Sequence, residues 1–187
     1  MKKRAKVIIK SEQLERIIER LCFQIIEHHD QFKNSCIVGI QQKGVILSER
    51  IIQKLKKLHP SIAIDFGKLD ITFFRDDFRS GNKILAPNTM DMNFLIEGKK
   101  VILVDDVLYT GRTIQAALQA LSNFGRPAKV ELLVLIDRRF NRHIPIQADY
   151  FGMRVDALDE AYVKVEWKEE DGACLLYTSP SPRDRTR

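Results

Sequence analysis

The run VILVDDVLYTGRT at residues 101–113 constrains this 187-residue chain more than any other segment. Its first four residues are aliphatic, which is typical of a strand buried on both faces, as in a parallel sheet. Asp105 and Asp106 follow, so we expect two carboxylates at the carboxyl end of that strand, the edge of an open α/β sheet where ligands bind. From Thr113 onward apolar residues recur at helical spacing, which predicts that a short loop leads directly into a helix.

The loop between the carboxylates and this helix is suited to binding a phosphate. A helix N-terminus offers free backbone N–H groups and the positive end of the macrodipole. Gly111 permits close approach of the backbone to a ligand, and Thr110 and Thr113 add hydroxyl donors. Asp105 and Asp106 would repel the phosphate, so we expect them to accept hydrogen bonds from sugar hydroxyls or to hold a divalent cation, directly or through water.

Apolar periodicity elsewhere predicts alternating strands and helices, and hence an α/β fold with a mainly parallel central sheet flanked by helices. A polar loop is expected over 75–92. The expected helices start at Ser11 and run over 45–58, and the expected strands cover 36–40, 62–73 with a kink at Gly67, 129–136 and 162–167.

Composition favours a soluble protein of the reducing cytoplasm. Hydrophobic residues make up 44% of the chain and charged residues 30%. The three cysteines show neither zinc-type nor Cys-x-x-Cys spacing. No apolar run approaches the roughly 20 residues of a membrane span, so we expect no membrane partner. The formal net charge of +6 would attract anionic substrates.

The last residues differ in composition from the rest of the chain. After Gly172, Ser, Pro and Arg replace the apolar periodicity. We therefore expect one domain over 1–172, followed at 173–187 by a disordered tail of non-native origin.

The two carboxylates and the Thr-Gly-Arg-Thr sequence that follows resemble the phosphoribosyl diphosphate signature of type I phosphoribosyltransferases. The resemblance implies the fold of that group, with a flexible active-site loop and a small hood beside the parallel sheet. It also implies a set of phosphoribosyl diphosphate ligands, namely Asp105, Asp106, Tyr109, Thr110, Gly111, Arg112 and Thr113.

Further segments, at 38–45, 69–78, 124–127 and 134–138, resemble one branch of that group, the bifunctional pyrimidine operon regulators and uracil phosphoribosyltransferases. By this resemblance Gln42, Lys43 and Gly44 form the loop that holds the diphosphate. Lys43 replaces the arginine of many members, which gives a less directional contact with the diphosphate. Arg75 would reach over the diphosphate when the loop over 75–92 closes.

The resemblance implies that uracil and phosphoribosyl diphosphate react to give UMP and diphosphate. Mg²⁺ would arrive with the sugar donor, and we expect no metal site made of protein ligands alone. The catalytic residues would be Asp106, Asp105, Arg75 and Lys43. A free pyrimidine can lose its proton to water. We therefore assign Asp106 mainly to binding the ribose hydroxyls and only secondarily to the role of general base. The base site would include Asp137, Arg138 and backbone groups near Val155 in the hood.

Members of this branch also regulate transcription attenuation by binding a hairpin in pyrimidine-gene messenger RNA when UMP is present. The chain departs from the usual branch pattern at 137–147 and 152–157, which bears mainly on this second activity. Two alternatives stay open: a nucleotide-sensing RNA-binding regulator with little catalysis, and a type I enzyme that uses a purine base. The resemblance suggests a homodimer or a higher homo-oligomer, and an RNA-binding face would draw on Arg138, Arg139, Arg142, His143 and Arg154.

Overall fold

The computed structural model describes residues 6–29, 31–74, 91–140, 142–156, 161–167 and 175–180. Its main sheet has five strands in the order β3-β2-β4-β5-β6, and every neighbouring pair is parallel. The elements are β1 Lys6–Ile9, α1 Ser11–His29, β2 Ser35–Ile40, α2 Lys43–Leu58, β3 Asp65–Leu69, β4 Lys100–Leu108, α3 Arg112–Leu121, β5 Lys129–Arg138, β6 Tyr150–Val155, β7 Ala161–Glu166 and β8 Leu175–Pro180. This parallel sheet confirms the predicted fold class.

Helices cover both faces of the five-stranded sheet. In β4, Ile102 and Val104 pack with α1 and α2, whereas Val101 and Leu103 pack with α3. Successive side chains of a strand point to opposite faces, so a strand that is buried on both faces must be apolar at every position. The uninterrupted aliphatic run of β4 meets that requirement.

The smaller sheet has three antiparallel strands in the order β1-β8-β7 and forms the predicted hood. The expectation of a disordered tail is wrong for Leu175–Pro180, because this segment forms the central strand of that sheet. The segment begins Leu-Leu-Tyr-Thr, which has strand-forming character that the Ser-Pro-Arg composition around it obscured. The non-native origin of the tail stays a prediction.

Three other expectations change in detail. The long strand predicted over 62–73 is shorter, since β3 covers Asp65–Leu69 and a 3-10 helix, Thr72–Phe74, follows. Strand β4 continues past the two carboxylates to Leu108. Strand β6 was not predicted, and it carries Val155 at the edge of the main sheet rather than in the hood.

None of the helices in the described part of the chain combines the length and apolarity needed to cross a bilayer.

Candidate active site

The strand order reverses direction between β2 and β4. The chain proceeds from β2 through α2 to β3 on one side, and from β4 through α3 to β5 on the other. The two loops that leave the carboxyl ends of β2 and β4 therefore diverge and leave a crevice between them. In open α/β sheets this switch point is where ligands bind.

The loop after β2 lies against the backbone of β4. A Cβ atom on Gly44 would be 2.4 Å from the Val104 carbonyl oxygen and 3.2 Å from the Asp105 Cα, so a glycine is required for this approach. The same loop has a cis peptide bond between Gln41 and Gln42. The close approach at Gly44 holds the start of α2 next to the end of β4.

Lys43 is the first residue of α2 and links the loop to the hood. Its Nζ donates a hydrogen bond to the carbonyl oxygen of Val165 in β7. It lines the same cavity as Asp106, where its positive charge opposes the burial that raises the pKa of that carboxyl group. Lys43 therefore connects the hood to the cavity that holds the two carboxylates.

Asp105 and Asp106 are the fourth- and third-last residues of β4. Asp105 is 7% exposed, and its Oδ1 accepts a hydrogen bond of 2.9 Å from the Asp106 backbone N–H. Burial raises the pKa of Asp106 above its usual 3.8, against the lowering effects of Lys43 and of hydrogen bonding with Asp105. A carboxylate held out of water in this way gains strongly from a cationic neighbour.

The predicted phosphate loop turns sharply into α3. Gly111 precedes the helix in the left-handed conformation, with φ of 90°, which favours glycine. The Thr110 hydroxyl oxygen accepts a weak hydrogen bond of 3.5 Å from the Arg112 backbone N–H. Within the described residues neither Gly111 at α3 nor Gln42 at α2 makes a side-chain cap. Two helix N-termini thus border the crevice, and the backbone N–H groups and dipole of a helix N-terminus favour anions.

A cavity of about 420 Å³ joins these parts. Its walls bring together seven of the predicted site residues: Gln42, Lys43, Asp105, Asp106, Tyr109, Thr113 and Arg138. Gly44, Thr110, Gly111 and Arg112 adjoin them in the chain but do not line the cavity. Arg75 lies outside the described residues.

One side of the cavity is apolar and was not found from the sequence. Ile71, Val107, Val163 and Val165 belong to it, and Gln41 also lines the cavity. Ile71 lies in the segment 69–78 that resembles the family, but it was not predicted as a site residue, and Val163 comes from a segment that no motif connects to the cavity. Their part in the site follows from the position of the hood over the sheet edge.

Asp137 and Arg138 were both predicted to lie at the base site, and the structure places them differently. Only one of the two side chains lines the cavity. Arg138 lines it, with its guanidinium carbon 3.9 Å from the centre of the Tyr109 ring. Asp137 faces away and pairs with Arg142 and Arg154, and Val155 does not line the cavity either.

The residues expected to bind RNA also separate into two sets. Arg138 is buried in the cavity wall, and Arg142 is turned inward with 19% of its side chain exposed. Arg139 and Arg154 are each 51% exposed, and His143 is also at the surface. Arg139 forms two hydrogen bonds to Asp156, of 2.7 and 2.5 Å. Three of the five side chains are therefore at the surface.

The described residues contain no group of three or more His, Cys, Asp or Glu side chains that could hold a metal ion.

Comparison with protein families gives a match to the phosphoribosyl transferase domain over residues 6–170. The chain is 44% identical over 177 residues to the bifunctional protein PyrR of Streptococcus uberis, covering 94% of this chain and 98% of that protein. It is 40% identical over 167 residues to the bifunctional protein PyrR of Elusimicrobium minutum, covering 89% and 92%.

Solved structures of hypoxanthine phosphoribosyltransferases share the fold. The Staphylococcus aureus protein matches with a TM-score of 0.67 at 20% identity, over 96% of this chain and 94% of that one. The Trypanosoma cruzi protein matches with a TM-score of 0.67 at 16% identity, over 94% and 97%. At these identities the likeness concerns the fold and not the base that is used.

Proposed function

The chain belongs to the phosphoribosyl transferase family and, within it, to the bifunctional PyrR proteins, and from this premise we propose that it joins uracil to phosphoribosyl diphosphate, giving UMP and diphosphate. One observation carries the proposal. A single cavity at the switch point is lined by the diphosphate loop, the two carboxylates and the start of the phosphate loop. These are the three parts that a phosphoribosyl donor needs, since it has a diphosphate, a ribose and a 5′-phosphate.

In the proposed reaction, N1 of uracil forms a bond to the anomeric carbon while the bond from that carbon to the diphosphate oxygen breaks. The sugar acquires oxocarbenium character, and the diphosphate leaves with the bonding electron pair. Asp105 and Asp106 accept hydrogen bonds from the ribose hydroxyls, and their negative charge favours the developing cation. The proton of N1 passes to water.

The leaving diphosphate gathers negative charge, which Lys43 and the amides at the start of α2 would stabilise. In this proposal Lys43 exchanges its hydrogen bond with Val165 for one with the diphosphate. We also propose that Arg75, from the segment between the 3-10 helix and residue 91, approaches the same group. The apolar wall of Ile71, Val163 and Val165 would exclude water from the sugar and suppress hydrolysis.

Mg²⁺ fits this site by the chemistry of its donors. Asp105 and Asp106 offer hard carboxylate oxygens beside the position proposed for the ribose and diphosphate, and Mg²⁺ prefers oxygen ligands while keeping several waters. We propose that it enters with the sugar donor. When bound, it neutralises charge on the diphosphate.

Turnover of labelled uracil with phosphoribosyl diphosphate and Mg²⁺ tests the transferase, with hypoxanthine and guanine run in parallel. We expect UMP to form much faster than either purine nucleotide. Asp106→Asn is the matched variant, because it keeps the side-chain shape while removing the charge. It should lower turnover at least a hundredfold, about 3 kcal/mol, and leave the fold intact. Preference for a purine, or near-normal turnover in Asp106→Asn, would contradict the proposal.

We propose further that the protein binds a messenger RNA hairpin in the presence of UMP, in keeping with the bifunctional name of its relatives. Arg139, His143 and Arg154 are the surface residues that support it. Their charge would contribute affinity that falls with rising salt. Hairpin binding measured with and without UMP tests the idea: a transferase that binds no hairpin under either condition would exclude this second function.

A further inference from the structure

The guanidinium of Arg142 forms hydrogen bonds with the backbone of the predicted phosphate loop. Arg142 lies between β5 and β6, and its Nη1 donates hydrogen bonds to the carbonyl oxygens of Leu108, at 3.1 Å, and Tyr109. Its Nε donates to the Ile146 carbonyl oxygen at 3.3 Å, and its Nη2 donates to Asp137. These contacts use four of the five N–H groups that an arginine possesses. We propose that Arg142 is a positioning residue for the loop that takes the 5′-phosphate, an inference that rests on the proposed function.

The segment that follows Arg142 continues this support along the loop. The His143 backbone N–H donates to the Thr110 carbonyl oxygen at 3.0 Å. A Cβ atom on Gly111 would be 3.4 Å from the Ile144 Cβ, so the two segments are in van der Waals contact. Three successive carbonyl groups, those of 108, 109 and 110, therefore all point toward the same segment.

This arrangement sets the direction of the loop amides. In a trans peptide the C=O of one residue and the N–H of the next lie in one plane and point in opposite directions. Carbonyl groups 108–110 turned toward the Arg142 segment therefore turn the N–H groups of Tyr109, Thr110 and Gly111 away from it. Those three N–H groups are left directed to the other side of the loop, where a phosphate would accept hydrogen bonds from them.

Asp137 holds Arg142 in place. Its Oδ1 pairs with Arg142 and its Oδ2 with the Nε of Arg154 at 3.4 Å, and its side chain is 10% exposed. A carboxylate in this environment fixes the plane and rotation of a guanidinium through a charge-assisted hydrogen bond. Asp137 thus acts on the 5′-phosphate through Arg142, which is a different role from contact with the pyrimidine.

The affinities of the protein for UMP and uridine test the inference, because the two ligands differ only in the 5′-phosphate. In Arg142→Gln we expect UMP to bind about tenfold or more weakly and uridine to bind as in wild type. The KM for phosphoribosyl diphosphate should rise similarly with kcat within about threefold, since the phosphate contact is equal in the ground and transition states. Arg142→Lys should recover part of the loss, because one ammonium cannot bridge four acceptors.

Arg20→Gln is the matched control. It removes another guanidinium that donates hydrogen bonds to backbone carbonyl oxygens, those of Phe151 at 3.3 Å and Gly152 at 2.6 Å, without any described contact to the loop, and it should leave UMP affinity unchanged. Asp137→Asn separates the two roles of that residue: a positioning role raises the KM for phosphoribosyl diphosphate, whereas contact with the base raises the KM for uracil.

These measurements distinguish a failure of the proposed phosphate loop from a failure of the positioning role of Arg142. Wild-type protein that binds UMP no more tightly than uridine would contradict the proposed phosphate loop itself. Tight wild-type UMP binding that survives in Arg142→Gln would overturn the positioning role alone. If that same variant lost hairpin binding, Arg142 would belong to the RNA face instead. A variant with an unchanged thermal midpoint excludes global unfolding as the cause of any loss.

Discussion

At the scale of single residues, Gly44 shows how the absence of a side chain organises the site. Its Cα approaches the β4 backbone so closely that a Cβ would be 2.4 Å from the Val104 carbonyl oxygen. Both groups are backbone, so neither can rotate away. This contact sets the distance between Lys43, next to the glycine, and Asp105, next to the valine.

Gly44→Ala should therefore separate the diphosphate loop from the carboxylates. We expect a loss of stability of about 1–3 kcal/mol, because the added methyl forces a backbone shift. The KM for phosphoribosyl diphosphate should rise as well. Urea denaturation and steady-state kinetics measure the two effects.

Gly67→Ala is the control for this prediction. The Cβ that it adds would be 2.7 Å from the Met92 Cγ, an atom of a flexible side chain that can move. Its cost in stability should be smaller than that of Gly44→Ala. Equal stability losses in the two variants would show that contact with the β4 backbone has no special effect.

Among the helices and strands, the sequence best predicted those whose formation is dominated by the burial of apolar side chains. The aliphatic run of β4 and the helical spacing of α1 and α2 reflect burial on two faces or on one, and both patterns are visible locally. The predicted strand over 62–73 failed because β3 is an edge strand, followed by a turn in which Asp70 accepts hydrogen bonds from the backbone and hydroxyl of Thr72.

Strand β6 was missed for a related reason. It is the opposite edge of the sheet, and its burial varies from residue to residue without a clear alternation. Motif resemblance also could not decide which way consecutive side chains point. Asp137 and Arg138 were predicted together, yet Arg138 lines the cavity whereas Asp137 pairs with Arg142. The hood residues of the cavity depend on long-range packing that no local pattern records.

At the scale of the whole molecule, the polar groups are divided between the two ends of the parallel sheet. The site occupies the carboxyl ends of the strands. A buried cluster at the amino ends links α1, β2, β5 and β6: His29 contacts Glu131 at 2.6 Å and Ser35 at 2.8 Å, and the Tyr150 hydroxyl donates to Glu131 at 3.1 Å. Since four elements meet there, the charge state of this cluster bears on the stability of the entire fold.

Acidification should weaken the fold through this cluster. Burial lowers the pKa of His29 below 6.5 despite the nearby Glu131, so protonation of the imidazole favours the unfolded chain as pH falls through 6.5. Burial acts to raise the pKa of Glu131, but hydrogen bonds from Lys129, His29 and Tyr150 outweigh it and leave that pKa below 4.5. The stabilisation from Glu131 is therefore present above pH 4.5 and is lost as pH falls through its lowered pKa.

Urea denaturation at a series of pH values from 7 to 3 measures this dependence. We expect the free energy of unfolding of the wild type to fall steadily, and Glu131→Gln to be less stable by about 1–3 kcal/mol at pH 7. The difference between the two proteins should narrow only below pH 4.5, as pH falls through the lowered pKa of Glu131. Glu49→Gln is the control, because Glu49 pairs with Lys68 at the surface and should contribute less than about 1 kcal/mol. A difference between wild type and Glu131→Gln that does not narrow between pH 4.5 and pH 3 would show that Glu131 does not carry its stabilising charge in the folded protein.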